Sequence, residues 1–210
     1  MILEKRQIIE SEGVIVDIFN IDNGISGVIN WIPQLTTKAL IGKANKSSNT
    51  TLSLEAYRKG IFLPDANVKN GILVKNTVSN EYYIVVASSD EIIDNQIASV
   101  NTLMLKCNAV IDVVGKKETA DDVGNIYVDD VIKVSDLNIY MYSDRVDLTQ
   151  YKPGLYPDNQ YTLYIPAVPI SLTDKVILKT ANPPVSLKIT GIDSLSYENL
   201  LVISVSSSVN

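Results

Sequence analysis

The residue types that usually carry acid–base or nucleophilic catalysis are nearly missing from this sequence. Its 210 residues include no histidine and a single cysteine, Cys107. Without an imidazole there is no Ser-His-Asp or Cys-His nucleophile system and no histidine metal site. No GxxxxGK[ST] or GxGxxG phosphate-binding motif occurs either. We therefore expect no enzyme and no cofactor, and we assign no catalytic, cofactor-binding or metal-binding residue.

Carboxylates are the chemical groups that remain. A carboxylate pair can hydrolyse a glycoside without histidine, and the candidates in predicted loops or strand ends are Glu55, Asp90, Glu91 and Asp94. None of them has a distinguishing neighbour. The acidic pairs Asp121-Asp122 and Asp129-Asp130 do not match the spacing of an EF-hand calcium loop. Adjacent carboxylates on a strand point to opposite faces, so we interpret these pairs as a solvated edge.

Composition and charge exclude further classes of protein. The chain is 46% hydrophobic, which is too apolar for a disordered protein, and its net charge is −6. An acidic surface does not grip the phosphates of a nucleic acid, although it would let DNA slide past. No run has the length of a membrane-spanning helix. The charges in the first six residues, MILEKR, are not typical of a secretion signal, and we expect none.

The pattern of apolar residues predicts an all-β protein. Residues 1–12 have the spacing of one short amphipathic helix. After Gly13, short β-rich runs alternate with turn signals, as in β-barrels and β-sandwiches. We therefore predict small β-barrel or sandwich units with at most one short N-terminal helix.

A repeated pattern indicates that the β unit is duplicated. From Ile61 to Val86, an apolar pair with proline is followed by a polar turn, an apolar run, a polar tip and a returning run. The same order recurs about a hundred residues later. There Ile165-Pro166 corresponds to Leu63-Pro64, and Val176–Lys179 corresponds to Ile72–Lys75. Both stretches predict a hairpin.

Two stretches define the expected domain organisation. Residues 103–113 alternate between apolar and polar side chains, which predicts one long strand with Leu103, Leu105 and Cys107 on its apolar face. Cys107 is interpreted as a small core residue. Residues 114–124 are the most polar stretch. We predict an N-terminal β domain over 1–114, a linker over 115–124 and a C-terminal β domain over 125–210.

Several residues are candidates for contacts with other molecules. Residues 42–50 are small and polar, and two interpretations stand: an idle surface connection, or a mobile loop that reaches a neighbour or a channel. The residues of the second interpretation are Lys43, Asn45, Lys46, Ser47 and Ser48. Some strands are apolar on both faces, and the surplus face predicts burial against a second domain or subunit. The candidate interface residues are Tyr82, Ile84, Val86, Tyr140, Tyr142, Leu201 and Ile203.

The order of these elements resembles a known family. The motifs concerned are Leu63-Pro64, Asn70-Gly71-Ile72-Leu73, Tyr82–Val86 and the strand around Cys107. Together they are similar to the small head–tail connector proteins of tailed bacteriophages, the head-closure or stopper components of the virion neck. The resemblance covers roughly residues 50–114 and returns over 160–205. Single-domain stoppers are shorter, so this chain would be a doubled or extended version.

The resemblance implies a structural protein of the virion, assembled in the host cytoplasm. It would form a ring of its own copies between portal or adaptor and tail proteins, around a channel through which DNA passes without sequence-specific binding. A loop over 42–50 would then project into the lumen. No membrane is involved in this interpretation.

The alternative is a tail-associated β module that binds a glycan or a receptor. Eleven tyrosines against two phenylalanines favour it, because tyrosine offers a stacking face and a hydroxyl group. The tyrosines concerned are Tyr140, Tyr142, Tyr151, Tyr156, Tyr161 and Tyr164. Strands and subunit interfaces also use tyrosine, which is the plainer explanation.

Overall fold

A computed structural model describes residues 2–23, 28–44, 56–121, 123–143 and 160–207 of the chain. The chain divides into two compact units, and each is built around a β-barrel. Unit 1 comprises residues 1–20, 31–107 and 195–200, and unit 2 comprises residues 21–30, 108–194 and 201–210.

The barrel of unit 1 has six strands and follows one N-terminal helix. These elements are α1 (Ile2–Glu12), β1 (Val14–Asn23), β2 (Ile29–Lys43), β3 (Tyr57–Phe62), β4 (Leu73–Asn76), β5 (Glu81–Ile93) and β6 (Gln96–Lys106). Their order around the barrel is β1-β4-β5-β6-β3-β2, and pairing of β1 with β2 closes it. Buried apolar side chains fill the core, among them Val16, Ile18, Phe62, Val74, Tyr83, Val85 and Met104.

The barrel of unit 2 also has six strands. They are β7 (Ala109–Ala120), β8 (Ile126–Ser143), β9 (Gln160–Pro166), β10 (Lys175–Leu178), β11 (Val185–Asp193) and β12 (Leu200–Ser207). Their order is β8-β7-β10-β11-β12-β9, and pairing of β8 with β9 closes the barrel. The fully buried apolar residues include Ile111, Val113, Leu137, Ile139, Leu163, Ile165 and Val176.

The two barrels have the same strand order. If β7 to β12 are renumbered from one, unit 2 repeats the order 1-4-5-6-3-2 of unit 1. The predicted correspondence follows this order, because Val176 lies in β10, the fourth strand of its barrel, as Leu73 lies in β4. The all-β fold and the duplication are confirmed, and α1 is the one α-helix among the described residues.

The leading hairpin is confirmed in detail. Strands β4 and β5 pair antiparallel, with Leu73 opposite Ile84. The repeat forms the same hairpin from β10 and β11, where Leu178 lies opposite Val185. Helix α1 ends where glycine was expected to interrupt it, and its buried residue is Ile9.

The single long strand predicted over residues 103–113 is wrong. Strand β6 ends at Lys106 and β7 begins at Ala109, because the backbone changes partner between them. The N–H of Cys107 donates to the carbonyl of Tyr82, whereas the N–H of Asn108 donates to the carbonyl of Ile139. The inward face also differs: Met104 lies in the core of unit 1, and Leu103 is partly exposed.

The polar stretch 115–124 is not a linker in the structure. Its residues up to Ala120 continue β7, and Asp121, Gly124 and Asn125 lie in the turn into β8. The units divide at Cys107 and Asn108 instead of within this stretch. The polarity that indicated a linker belongs to a hairpin whose side chains are exposed.

Candidate interaction surface: the ribbon of β7 and β8

The outer halves of β7 and β8 form a two-stranded ribbon. Strand β10 pairs with β7 only over Ile111–Val114, and β9 pairs with β8 only over Tyr140–Ser143. Beyond Val114 the two strands continue to pair with each other, from Gly115 opposite Val131 to Ala120 opposite Ile126. We call residues 115–121 and 123–131 the β7–β8 ribbon.

An ion pair between a partly exposed lysine and a buried aspartate anchors the base of the ribbon. The Nζ of Lys133 lies 2.8 Å from each carboxylate oxygen of Asp174, whose side chain is buried. The backbone N–H of Ser171 donates to the same carboxylate at 2.8 Å. Gly115 makes room for this arrangement, because a Cβ there would lie 2.2 Å from Cε of Lys133. These contacts hold the base of the ribbon against the barrel of unit 2.

A carboxylate organises the turn at the tip of the ribbon. Asp121 accepts hydrogen bonds from the backbone N–H groups of Val123 and Asn125, at 3.0 and 2.8 Å. Its other oxygen accepts from the amide of Asn125 at 2.8 Å and from the hydroxyl of Tyr127 at 3.2 Å. These bonds, chiefly the one from the Asn125 side chain, lower the pKa of Asp121. Gly124 has a φ of +89°, a backbone conformation that glycine adopts without the steric cost of a Cβ.

Both faces of the ribbon expose apolar side chains. Alternation places Ile126 and Val128 on one face and Tyr127 on the other. Their exposed fractions are 68%, 55% and 53%, respectively. Every residue from Ile126 to Ile132 is exposed. Large apolar residues so arranged on a protruding element are typical of an interaction surface.

Both outer edges of the ribbon lack a neighbouring strand among the described residues. On β7 this edge begins at Gly115, where pairing with β10 has ended. On β8 it extends from Ile126 to Lys133, and it ends at Val134, which pairs in parallel with Ile29 of β2. Each edge thus presents backbone N–H and C=O groups that another strand can pair with.

The two edges carry opposite charges at the same distance from the tip. Lys116 lies opposite Asp130 in the ribbon, and Lys117 lies opposite Asp129. Within the described part of the chain, neither lysine has a carboxylate within 4.0 Å. Asp129 accepts from the hydroxyl of Thr119 at 3.2 Å, and a carboxylate oxygen of Asp130 lies 3.9 Å from Nζ of Lys175. The β7 edge is therefore basic at this level and the β8 edge acidic.

Most of the predicted interface residues are buried inside the chain instead of exposed at its surface. Ile84 and Ile203 are completely buried within the chain, and Val86, Tyr140 and Leu201 are almost so. Side chains that the chain itself covers cannot offer a free surface to another molecule. Tyr82 and Tyr142 are partly exposed.

The proposed lumen loop lies mostly outside the described residues. Of its candidates, Asn45, Lys46, Ser47 and Ser48 fall there. Lys43 is the last residue of β2 and lies opposite Arg58 of β3. The prediction of a projecting loop stays a prediction.

Three of the candidate glycan-binding tyrosines form one cluster on β8 and β9. The rings of Tyr140, Tyr142 and Tyr164 have centroids 6.2–6.3 Å apart. Tyr161 lies opposite Ser143, whereas residues 151 and 156 are outside the described part of the chain. Because the three rings contact one another and Tyr140 is buried, the cluster contributes to the wall of its barrel.

Of the candidate carboxylates, Glu91 is engaged by neighbouring side chains. Glu91 is held by Lys5, by the hydroxyl of Ser99 at 2.9 Å and by the amide of Asn101 at 3.2 Å. These bonds, led by the one from Lys5, lower the pKa of Glu91 to about 2. Glu55 lies outside the described residues. An acid that remains ionised to such low pH is suited to an ion pair rather than to proton donation.

Cys107 is partly buried and has no feature of a reactive cysteine. Burial raises the pKa of its thiol, and burial disfavours the reactive thiolate. No group of three acidic, cysteine or histidine residues that could hold a metal occurs in the described ranges. Nor do those ranges contain a helix with the length and apolar character needed to cross a membrane.

Sequence reasoning missed the ribbon, although its signals were present. The turn residues around Gly124 precede a β-rich run, Ile126 to Val128, and a turn followed by such a run is one half of the ordinary signature of a hairpin. The charged residues before the turn favour a linker instead, and that interpretation is wrong.

Comparison with protein-family models, with curated proteins and with solved structures found no match to this chain.

Proposed function

We propose that this protein is a structural subunit that assembles with copies of itself into a ring, through the β7–β8 ribbon. The observation that carries the proposal is the exposure of Ile126, Tyr127 and Val128 on both faces of a ribbon with unpaired edges, within the described residues. In a lone molecule this surface brings no packing energy. In an assembly it becomes buried, at about 25 cal/mol per Å² of apolar area.

The resemblance of residues 50–114 to head–tail connector proteins supports a place in the neck of a tailed-phage virion. There the ring would join the portal side to the tail and surround the DNA. The net charge of −6 supports this role, because an acidic channel does not hold phosphates.

The experiment compares the whole protein with a variant that lacks the ribbon. In this variant, residues 116–130 are replaced by Asn-Gly, a two-residue turn suited to the pairing of Gly115 with Val131. Light scattering gives the mass of each protein in solution, and negative-stain microscopy gives its shape. We expect rings with a central opening from the whole protein and a folded monomer from the variant.

Two results would contradict the proposal. One is a whole protein that stays monomeric at about 100 μM, far above the Kd of a standard-size interface. The other is a ribbon-deleted variant that forms the same rings. Circular dichroism of the variant checks that its barrels are folded, so that loss of assembly is not loss of structure. Addition of duplex DNA at physiological salt should produce no complex with isolated subunits.

A further inference from the structure

We propose that the β7 edge of the ribbon in one copy pairs with the β8 edge of the ribbon in the next, which joins successive ribbons into one intermolecular β-sheet. This inference rests on the proposed assembly and names its contact. The edges of residues 115–120 and 126–133 have no neighbouring strand among the described residues, so each is free to accept one.

The directions of the strands suit this pairing. Within a ribbon, β7 runs toward the tip and β8 runs back from it. When two ribbons lie side by side with their tips at the same end, β7 of one copy is antiparallel to β8 of the next. Antiparallel pairing is the same hydrogen-bonding pattern that the ribbon already uses.

The charges of the two edges favour a β7–β8 contact between copies over a β7–β7 or a β8–β8 contact. At one level of the ribbon the β7 edge carries Lys116 and Lys117, and the β8 edge carries Asp129 and Asp130. A β7–β8 contact between copies therefore places two lysines beside two aspartates. A β7–β7 contact would bring four lysines together, and a β8–β8 contact would bring four aspartates together. Like charges on directly opposite positions are destabilising.

A contact between two different edges is the kind that closes rings. Because each copy supplies one β7 edge and one β8 edge, every copy binds a neighbour on each side. Side-by-side ribbons also align the faces that carry Ile126 and Val128, and such alignment extends the apolar stripe from copy to copy. A second copy of this chain is thus the occupant that the charges favour.

A charge-swapped protein tests the contact. The swapped variant carries Lys116→Glu, Lys117→Glu, Asp129→Lys and Asp130→Lys together, which preserves opposite charges between the two strands of each ribbon. Lys175→Glu is added so that the 3.9 Å contact with position 130 also keeps opposite charges. Between copies of the variant the edges are again complementary, whereas an edge of the variant meets a like charge on an edge of the wild type. The variant should therefore assemble with itself but not with the wild-type protein.

The measurement is energy transfer between fluorophores attached to the chain N-termini. Wild-type mixtures and swapped mixtures should reach half-assembly at similar concentrations. A mixture of wild-type and swapped protein should reach half-assembly only at a protein concentration about tenfold higher or more. The reason is that two attractive ion pairs become repulsive at every contact between unlike copies. Equal assembly in all three mixtures, with rings still forming, would overturn the edge contact and leave the proposed function in place. No transfer in the wild-type mixture would instead overturn both.

Cross-linking distinguishes the edge contact from mere protection of exposed edges by lysine. Single-cysteine positions are introduced as Lys117→Cys in one sample and Asp129→Cys in another. The native Cys107, which is only partly buried, is replaced by serine in both samples. Oxidation of the mixed samples should give a disulfide-linked dimer with one chain of each kind. Two results would contradict the proposal. One is a disulfide-linked dimer formed by the Lys117→Cys protein without its partner, and the other is no dimer in the mixture.

Discussion

Strands β7 and β8 pair with each other along their length, yet their barrel halves and their ribbon halves have opposite surroundings. In the barrel half, Ile111, Val113 and Ile139 are completely buried. In the ribbon half, Ile126 and Val128 are mostly exposed. Along β8 both halves contain β-branched residues, whereas the ribbon half of β7, Gly115–Ala120, is polar and has Thr119 as its one β-branched residue. Along β8, therefore, the flanking strands, and not the strand sequence, decide where the barrel ends.

The change occurs within a few residues. At Val114 the pairing of β7 with β10 ends, and at Gly115 the ribbon begins. Two register shifts in the pairing of β7 with β8 lie just before this point, between Ile111 and Val114. Bulges of this kind bend a strand and increase its twist. A hairpin can thus leave a barrel without a break in its own pairing.

The largest effect should come from the barrel half. Ile139→Ala removes a completely buried side chain and should lower the free energy of unfolding by about 2–5 kcal/mol. The matched substitution Val128→Ala in the ribbon should change it by about 0.5 kcal/mol or less, because the side chain is already in water. Urea unfolding of the monomer measures both. Similar losses from the two substitutions would contradict the comparison.

A smaller effect should come from a carboxylate in the other barrel. In unit 1, Glu81 accepts hydrogen bonds from Lys106 and Tyr83, and these lower its pKa from 4.5 to about 2. A lowered pKa stabilises the folded state above about pH 4.5, and this contribution is lost as the pH falls toward 2. Between about pH 4.5 and 2, the urea concentration at the unfolding midpoint should fall less for Glu81→Gln than for the wild-type protein.

The ribbon offers the control for this measurement. Glu118→Gln, on the exposed face of β7, should leave the pH dependence of the midpoint as it is in the wild type. If Glu118→Gln reduces the decrease of the urea midpoint at low pH as much as Glu81→Gln does, the carboxylate of Glu81 makes no special contribution to stability.

The smallest effect on global stability should come from the tip of the ribbon. Asp121→Ala removes the acceptor of the N–H groups of Val123 and Asn125. Amide hydrogen exchange at the tip should accelerate, while the urea midpoint stays unchanged, because the ribbon opens without the barrel. Measurement by mass spectrometry at concentrations below assembly separates local from global opening. Unchanged exchange at residues 123–127 would show that Asp121 does not hold the turn.

Sequence reasoning predicted elements more successfully than it predicted their neighbours. The hairpin of β4 and β5 and its repeat in β10 and β11 were predicted from apolar runs and turn residues. The strand predicted through Cys107 failed because alternation continues while the hydrogen-bond partner changes from Tyr82 to Ile139. Alternation records which face is buried locally, and it carries no information about which strand lies alongside.

The candidate surface was the least predictable part. Strands apolar on both faces were expected to be interfaces, but Ile84 and Ile203 are covered by the chain itself. Conversely, the exposed ribbon lies where charged residues indicated a linker. Counts of apolar residues do not reveal how much of a strand its own chain covers.

By itself, the sequence determined an all-β chain with a repeated hairpin, one short helix and no histidine chemistry. Those properties depend on residue types and on spacings of a few positions, which act locally. The tertiary structure alone decided that each repeat closes into a six-stranded barrel and that residues 115–131 extend beyond the second one. Closure depends on pairing between strands distant in sequence, such as β8 with β9, and local patterns do not encode where such pairing stops.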